Sequence, residues 1–217
     1  MRGPRHTALA VLCGLALFAG GCDPLAGTPA GTGSGAAVVG QGQAAAIAQL
    51  GTLSVGAWHS MSGYSRDRFP HWVSQGHGCD TRDVVLKRDG TGVVATGECT
   101  ITSGRWVSPY DNVTVTDPSA MDIDHMVPLA NAWRTGAADW TDQVRSEFAN
   151  DLTRPELLTV TASSNRSKGD QDPSQWRPPN RAFWCDYAQR WIAVKAYWHL
   201  VVTTDEKAAL QQMLQTC

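Results

Sequence analysis

An acidic residue and an imidazole stand side by side at Asp124-His125, inside the run Asp122-Ile123-Asp124-His125. On an extended chain adjacent side chains point to opposite faces, so these two are poorly placed to bond each other and well placed for separate tasks. The carboxylate suits a divalent cation. The imidazole, which titrates near neutrality, suits taking a proton from water. A hard cation such as Mg²⁺ takes oxygen ligands, which Asp124 and an asparagine carbonyl oxygen would supply. Such an ion steadies charge on phosphodiester oxygens and on the departing oxygen. An Asp-His pair by itself carries little weight, because a strand histidine is more often a hydrogen-bonded structural residue. A second polar run, Asn165-Arg166-Ser167-Lys168-Gly169-Asp170, adds to it.

These two runs need elements to hold them. Ala120 to Leu129 reads as a strand and its turn, with Met121, Ile123 and Met126-Val127 around the polar residues and Pro128 opposing a continuous helix. Asp139 to Asn150 has helical composition, and Glu156 to Thr161 is short and β-rich. Ser163-Ser164 is expected to cap a helix carrying Asn165. The motif therefore sits on strand, inserted helix, strand, helix. Further out, Tyr64 to Pro70 reads as an ordered loop and Asp80 to Arg88 as a short helix. Asp89-Gly90-Thr91-Gly92 is a turn signal. Gly92 to Thr102 and Gly104 to Thr116 suggest a hairpin or small sheet. Apolar residues at helical spacing run from Trp184 to Trp198, and Thr203-Thr204-Asp205-Glu206 opens a last helix. The expected class is α+β, with more helix than strand.

Not all 217 residues belong to this domain. Residues 1–21 combine Arg2, Arg5 and His6 with an apolar stretch from Ala8 to Ala19 and small residues at its end, which describes an export signal. Cys22 follows directly, so the signal ends either in lipidation of Cys22 or in plain cleavage near Gly21. An acyl chain would be the only tie to a membrane. Residues 22–46, rich in Gly, Ala, Thr and Pro, read as a flexible tether. Residues 47–217 read as one domain containing all nine tryptophans. Cys79, Cys99, Cys185 and Cys217 are an even set for an oxidising compartment. Of their three pairings, Cys79 with Cys99 and Cys185 with Cys217 each bracket one compact region. A four-cysteine zinc site is disfavoured because no C-x-x-C spacing exists. The net charge of −2 argues against a broad basic surface for nucleic acid, and less against an enzyme touching few phosphates.

Taken together, Asp122 to Leu129 (DIDHMVPL), Asn165 to Asp170, Tyr64-Ser65-Arg66, Cys79 to Asp83, Ala132-Trp133, Phe148 to Asp151 and Trp176-Arg177-Pro178 resemble the HNH endonucleases, or ββα-metal nucleases. The resemblance runs over about residues 50–217. It is closest to an exported actinobacterial branch related to the C-terminal domain of GmrSD restriction endonucleases. It implies a ββα-metal core with added helices and a small hairpin. Asp124 and Asn165 would be metal ligands, His125 the general base, and Mg²⁺ (or Mn²⁺) the ion. Lys168 would meet a phosphate or support the loop, and Arg82 would meet a phosphate or form a surface ion pair. For Asp122 and Asp170 structural roles are expected, and His59, His71, His77 and His199 are read as surface or core residues. One departure stands out: Glu156 occupies the place, nine before Asn165, where relatives carry an asparagine that fixes the base. Asn150 is available at another spacing, and a backbone carbonyl orienting His125 would make Glu156 harmless. The implied activity is that of an exported, monomeric nuclease, with DNA ahead of RNA as substrate. The rival readings are an inactive nuclease-fold lipoprotein that binds a partner and, further back, a cell-wall zinc hydrolase, which lacks the second histidine such sites need.

Overall fold

A computed structural model describes residues 42–217, so the segments expected as export signal and tether, with Cys22, lie outside the described residues as far as Gln41. The first element, α1 (Gln43–Thr52), begins inside the segment expected as tether. Its alanines favour helix, and Ala46 and Leu50, one turn apart, are buried on the later helices α6 (Trp184–Tyr197) and α7 (Thr204–Leu214). A parallel bridge from Val55 to Val202 continues that contact. Among the described residues no helix is long and apolar enough to cross a membrane.

A short 3-10 turn, Arg66–Arg68, follows with Ser65 accepting from the Asp67 amide. Next come a small hairpin, β1 (Ser74–Gly76) and β2 (Cys79–Asp80), and the expected helix α2 (Thr81–Asp89). Asp80 and Asp83 close a capping box at its start. β3 (Thr91–Thr96), β4 (Thr100–Val107) and β5 (Thr114–Val115) form an antiparallel sheet. It is mostly exposed, and Trp106 is its buried anchor, donating from Nε1 to the Leu86 carbonyl at 2.8 Å. A Cβ on Gly104 would stand 2.5 Å from the Trp106 ring, so the indole lies where only glycine leaves room. The β3–β4 hairpin turns at Gly97, inside the first of the two β-rich runs, because Gly97 takes the positive φ (+62°) the turn requires.

The core of the fold is the strand pair β6 (Met121–His125) and β7 (Leu157–Thr161), antiparallel with Asp122 opposite Val160, Asp124 opposite Leu158 and His125 opposite Leu157. Between them the chain makes α3 (Leu129–Arg134), a 3-10 turn at Ala137–Asp139 and α4 (Asp142–Ala149). After β7 it enters α5 (Ala162–Lys168) with no linker. That immediacy moves the cap: the Thr161 hydroxyl, not Ser163 or Ser164, accepts from the Ser164 amide. The expected strand, inserted helix, strand, helix is present. Strand alternation then decides which residue faces what. Met121, Ile123 and Leu157 pack with Val85, Leu86 and Trp106, which puts His125 on the α2 side. Leu158 and Val160 join the larger core with Tyr110, Trp133, Tyr187 and Trp191, which puts Asp122 and Asp124 on the side of the helices.

Both disulfides form in the expected pairing. Cys79–Cys99 joins the start of α2 to the β3–β4 turn, and Cys185–Cys217 joins the first turn of α6 to the last residue. Their sequence separations of 20 and 32 residues correspond to about 3–4 kcal/mol each from restricting the unfolded chain.

Candidate active site

His125 closes β6 and is only 5 % exposed. Its Nε2 lies 2.9 Å from the Ala149 carbonyl at the end of α4. A carbonyl can only accept, so Nε2 carries the hydrogen and Nδ1 carries the lone pair. The Trp72 ring stacks on the imidazole (centroids 5.6 Å, 24°), and the His71 ring stands 6.3 Å away, edge-on. Trp72 adopts φ +58°, a conformation costly for a bulky residue, and one that persists only where the surroundings impose it. Asn150 supplies much of that imposition. Its Oδ1 accepts from Val73 N (3.1 Å) and Thr81 Oγ1 (2.8 Å), and its Nδ2 donates to the Pro70 and Ser146 carbonyls (both 2.8 Å). One side chain thus ties the segment carrying His71 and Trp72 to the helix end that orients His125. Burial pushes the His125 pKa down to about 3; the Ala149 bond works against this, and the charges of Arg66, His71 and Lys168 add to it. The ring is therefore neutral at physiological pH, with one nitrogen free to accept a proton.

The other face of β6 carries the carboxylates. Asp124 is 4 % exposed, and the fully buried Lys168 ammonium reaches both its oxygens, Oδ1 at 2.9 Å and Oδ2 at 2.6 Å. The same ammonium donates to the carbonyls of His125 (2.7 Å) and Met126 (3.0 Å). Tyr110 donates its hydroxyl to Asp124 Oδ2 at 2.5 Å. Burial drives both members of this pair toward their neutral forms, and their contact opposes it. Asp122, two residues back on the same face, accepts from Asn165 Nδ2 at 3.2 Å, which docks α5 on the strand. Glu156 is fully buried behind the loop after β6. Its backbone carbonyl accepts from Met126 N (2.6 Å) and its Oε2 from Val127 N (3.1 Å). Burial raises its carboxyl well above the usual range, with the Val127 bond and Lys168 opposing and Asp124 and Asp151 reinforcing. Glu156, at the position where the resemblance led to the expectation of an asparagine, thus holds the loop, while the Ala149 backbone carbonyl lies within hydrogen-bond reach of His125.

The fold thus gathers Asp124, His125, Asn150, Glu156, Asn165 and Lys168 around one strand pair. Arg82 is spent elsewhere: its guanidinium donates to the Pro118 and Met121 carbonyls (3.0 and 3.1 Å) and anchors α2 to the start of β6. Asp170 pairs with Arg134 at 3.1 Å, and Asp83 belongs to the capping box. No sequence spacing relates Tyr110, His71 or Trp72 to His125, so only the fold brings them to the site; His71, expected as a surface or core residue, stands beside the His125 ring. The implied divalent cation can be tested against the donors. Among the described residues no three His, Cys, Asp or Glu side chains converge as a metal cage. Asp124 has its oxygens engaged by Lys168 and Tyr110. Asp122 and Asn165 each keep a side-chain oxygen with no hydrogen-bond partner, on half-buried residues beside Asp124. Hard oxygen donors of this kind are the type that Mg²⁺ takes, with water supplying most of its shell.

Residues 80–213 match the family model for the C-terminal domain of GmrSD restriction endonucleases. A protein of Arthroderma benhamiae described as an uncharacterized secreted protein is 52 % identical over 168 residues, covering 77 % of this chain and 82 % of its own. That relative places the resemblance outside the actinobacterial branch as well. No solved structure matches the chain.

Proposed function

We propose, from the premise that this chain belongs to the family of GmrSD restriction endonuclease C-terminal domains, that it is an exported nuclease hydrolysing phosphodiester bonds with His125 as general base. The observation that carries the reading is the tautomer of His125. With Nε2–H held by Ala149, Nδ1 is the base, on a strand whose opposite face offers Asp122 and Asn165. Nδ1 takes a proton from water as its oxygen attacks phosphorus, and the bond to the departing oxygen breaks. The surroundings that keep His125 neutral also weaken it as a base. An anionic phosphate brought beside it offsets the Arg66, His71 and Lys168 charges, so its proton affinity rises where it is used. A divalent cation, Mg²⁺ or Mn²⁺, supplies positive charge to the phosphodiester oxygens when bound, and the open oxygens of Asp122 and Asn165, next to Asp124, are those that would hold it. Lys168 fixes the chain at His125 and Met126, so that the base and the carboxylate face keep their relation. Two disulfides and the secreted relative support a site of action outside the cytoplasm.

Incubation of the purified domain with supercoiled plasmid and Mg²⁺ or Mn²⁺ tests this reading, with RNA as a parallel substrate. Nicking that EDTA abolishes, and that His125→Ala lowers by about 10²–10⁴-fold while the fold persists, is expected. Intact plasmid and RNA under both metals, with the domain demonstrably folded, would falsify it. The engagement of Asp124 by Lys168 favours one other reading, a nuclease fold retained for binding a partner. Cation binding without turnover would mark that case.

A further inference from the structure

The arginines around the site are mostly committed to the protein itself. Arg82 holds two carbonyls, Arg134 pairs with Asp170 and lies over Trp58, Arg145 holds the Ala137 carbonyl, and Arg154 pairs with Asp151. Arg66 and Arg166 are the exceptions. Both are exposed, and among the described residues neither side chain has a hydrogen bond, an ion pair or a ring contact.

Their places are set by the fold. Arg66 opens the 3-10 turn whose chain runs on through Phe69, which accepts from His71 Nδ1 at 2.8 Å, to Trp72 stacked on His125. Arg166 follows Asn165, the residue that docks α5 on Asp122. The segments that carry them both border the end of α3. Tyr64, two residues before Arg66, packs edge-on against Trp133 (ring centroids 5.8 Å), and the next residue, Arg134, bonds Asp170, two residues past the end of α5. An unpaired guanidinium presents a planar fork of donors, the geometry that grips phosphate in two places at once. The net charge of −2 leaves little basic surface for anything larger.

Resting on the nuclease reading, we propose that Arg66 and Arg166 are the substrate-gripping residues of the site. Each takes a backbone phosphate to one side of the bond to be cut, which gives a short footprint indifferent to base sequence.

The test uses His125→Ala protein, which binds without cutting, and a fluorescein-labelled DNA duplex followed by anisotropy across a salt series. Two contacts give a slope of log affinity against log salt of about −2. Arg66→Ala and Arg166→Ala should each bring that slope about one closer to zero and weaken binding similarly for duplexes of unrelated sequence. Lysine at either position should restore the slope with only part of the affinity. Lys207→Ala, on α7 away from β6 and likewise partnerless, is the charge-matched control and should leave the slope alone. In the His125-containing protein, the same arginine variants should raise KM more than they lower kcat. Unchanged slope and affinity in both variants, in a protein that still nicks plasmid, overturn the assignment and leave the nuclease reading standing. A parent that neither nicks plasmid nor binds the duplex removes both.

Discussion

Two lysines among the described residues are fully buried, and each is paired with a carboxylate: Lys168 with Asp124, and Lys195 with Glu206. Their neighbourhoods differ. Lys195 donates to the Val201 carbonyl (2.9 Å) and Thr135 Oγ1 (3.3 Å), while Glu206 also accepts from Trp191 Nε1 (2.6 Å) and completes the cap of α7. That pair joins α6, α7 and the loop after α3, with no reactive group beside it. Lys168 instead spends its bonds on Asp124 and on the carbonyls of His125 and Met126, where the strand ends. The same chemistry acts in one place as a joint between helices and in the other as the mount for the strand end that carries His125, the base in the proposed reaction. Burial alone therefore does not mark a charged pair as functional; what the pair grips does.

The largest effects expected are those that break the two pairs. Lys168→Met and Lys195→Met should each cost about 3–5 kcal/mol, because each leaves a carboxylate buried without its partner. Denaturant melts would measure this. They should part in activity per folded molecule: lost for Lys168→Met, unchanged for Lys195→Met. A Lys168→Met protein that cuts at the parental rate would reduce Lys168 to a second joint and dissolve the comparison.

Removing both partners sharpens it at a smaller scale. Lys195→Met with Glu206→Leu should recover roughly 2 kcal/mol of the single-variant loss, since apolar replacement of a buried pair is often near neutral. Lys168→Met with Asp124→Leu should recover stability in the same way and no activity. Recovery of cleavage by that double variant would show that the pair is not needed to mount His125.

Glu156 offers a gentler probe of the same loop. Its folded pKa is raised, so folding favours the protonated form. Its contribution to stability is fully present below the ordinary carboxyl value of 4.5 and is lost as pH rises through the folded value. Glu156→Gln should therefore match the parent near pH 4 and become progressively the more stable protein toward pH 8, measured by melts across that range. A constant gap between the two would mean that Glu156 stays ionised on folding. The smallest effect concerns His125. With its pKa near 3, kcat/KM should change less than about 2-fold between pH 8 and pH 5 from this group, and a limb near the ordinary histidine value would contradict its buried state.

Much of this site was legible before any coordinates. Asp-His before a Val-Pro turn, then a β-rich run leading into Asn165, reads as strand, strand and helix because period-2 patterning and proline are local signals. The capping pairs Asp80/Asp83 and Thr203/Glu206 are local too, and the cysteine pairs could be guessed because each brackets one short stretch. Sequence separation hid the rest. Tyr110 lies 14 residues before the carboxylate it bonds, Lys168 lies 44 after it, and Asn150 staples a loop 77 residues away at Val73. Gln43 to Ala46 reads as tether in the sequence because its small residues acquire an apolar face only against α6 and α7.

By itself, then, the amino-acid sequence determined which residues could do chemistry, their order along a ββα unit, and the oxidising setting implied by paired cysteines. Each of those follows from residue type and short-range spacing. Only the tertiary structure decided that Asp124 answers to Lys168 while Asp122 and Asn165 keep oxygens open, that Ala149 rather than residue 156 orients His125, and that Arg66 and Arg166 stand free. The reason is physical. Whether a polar group is satisfied depends on the partners that packing brings within about 3 Å, and those come from any point along the chain.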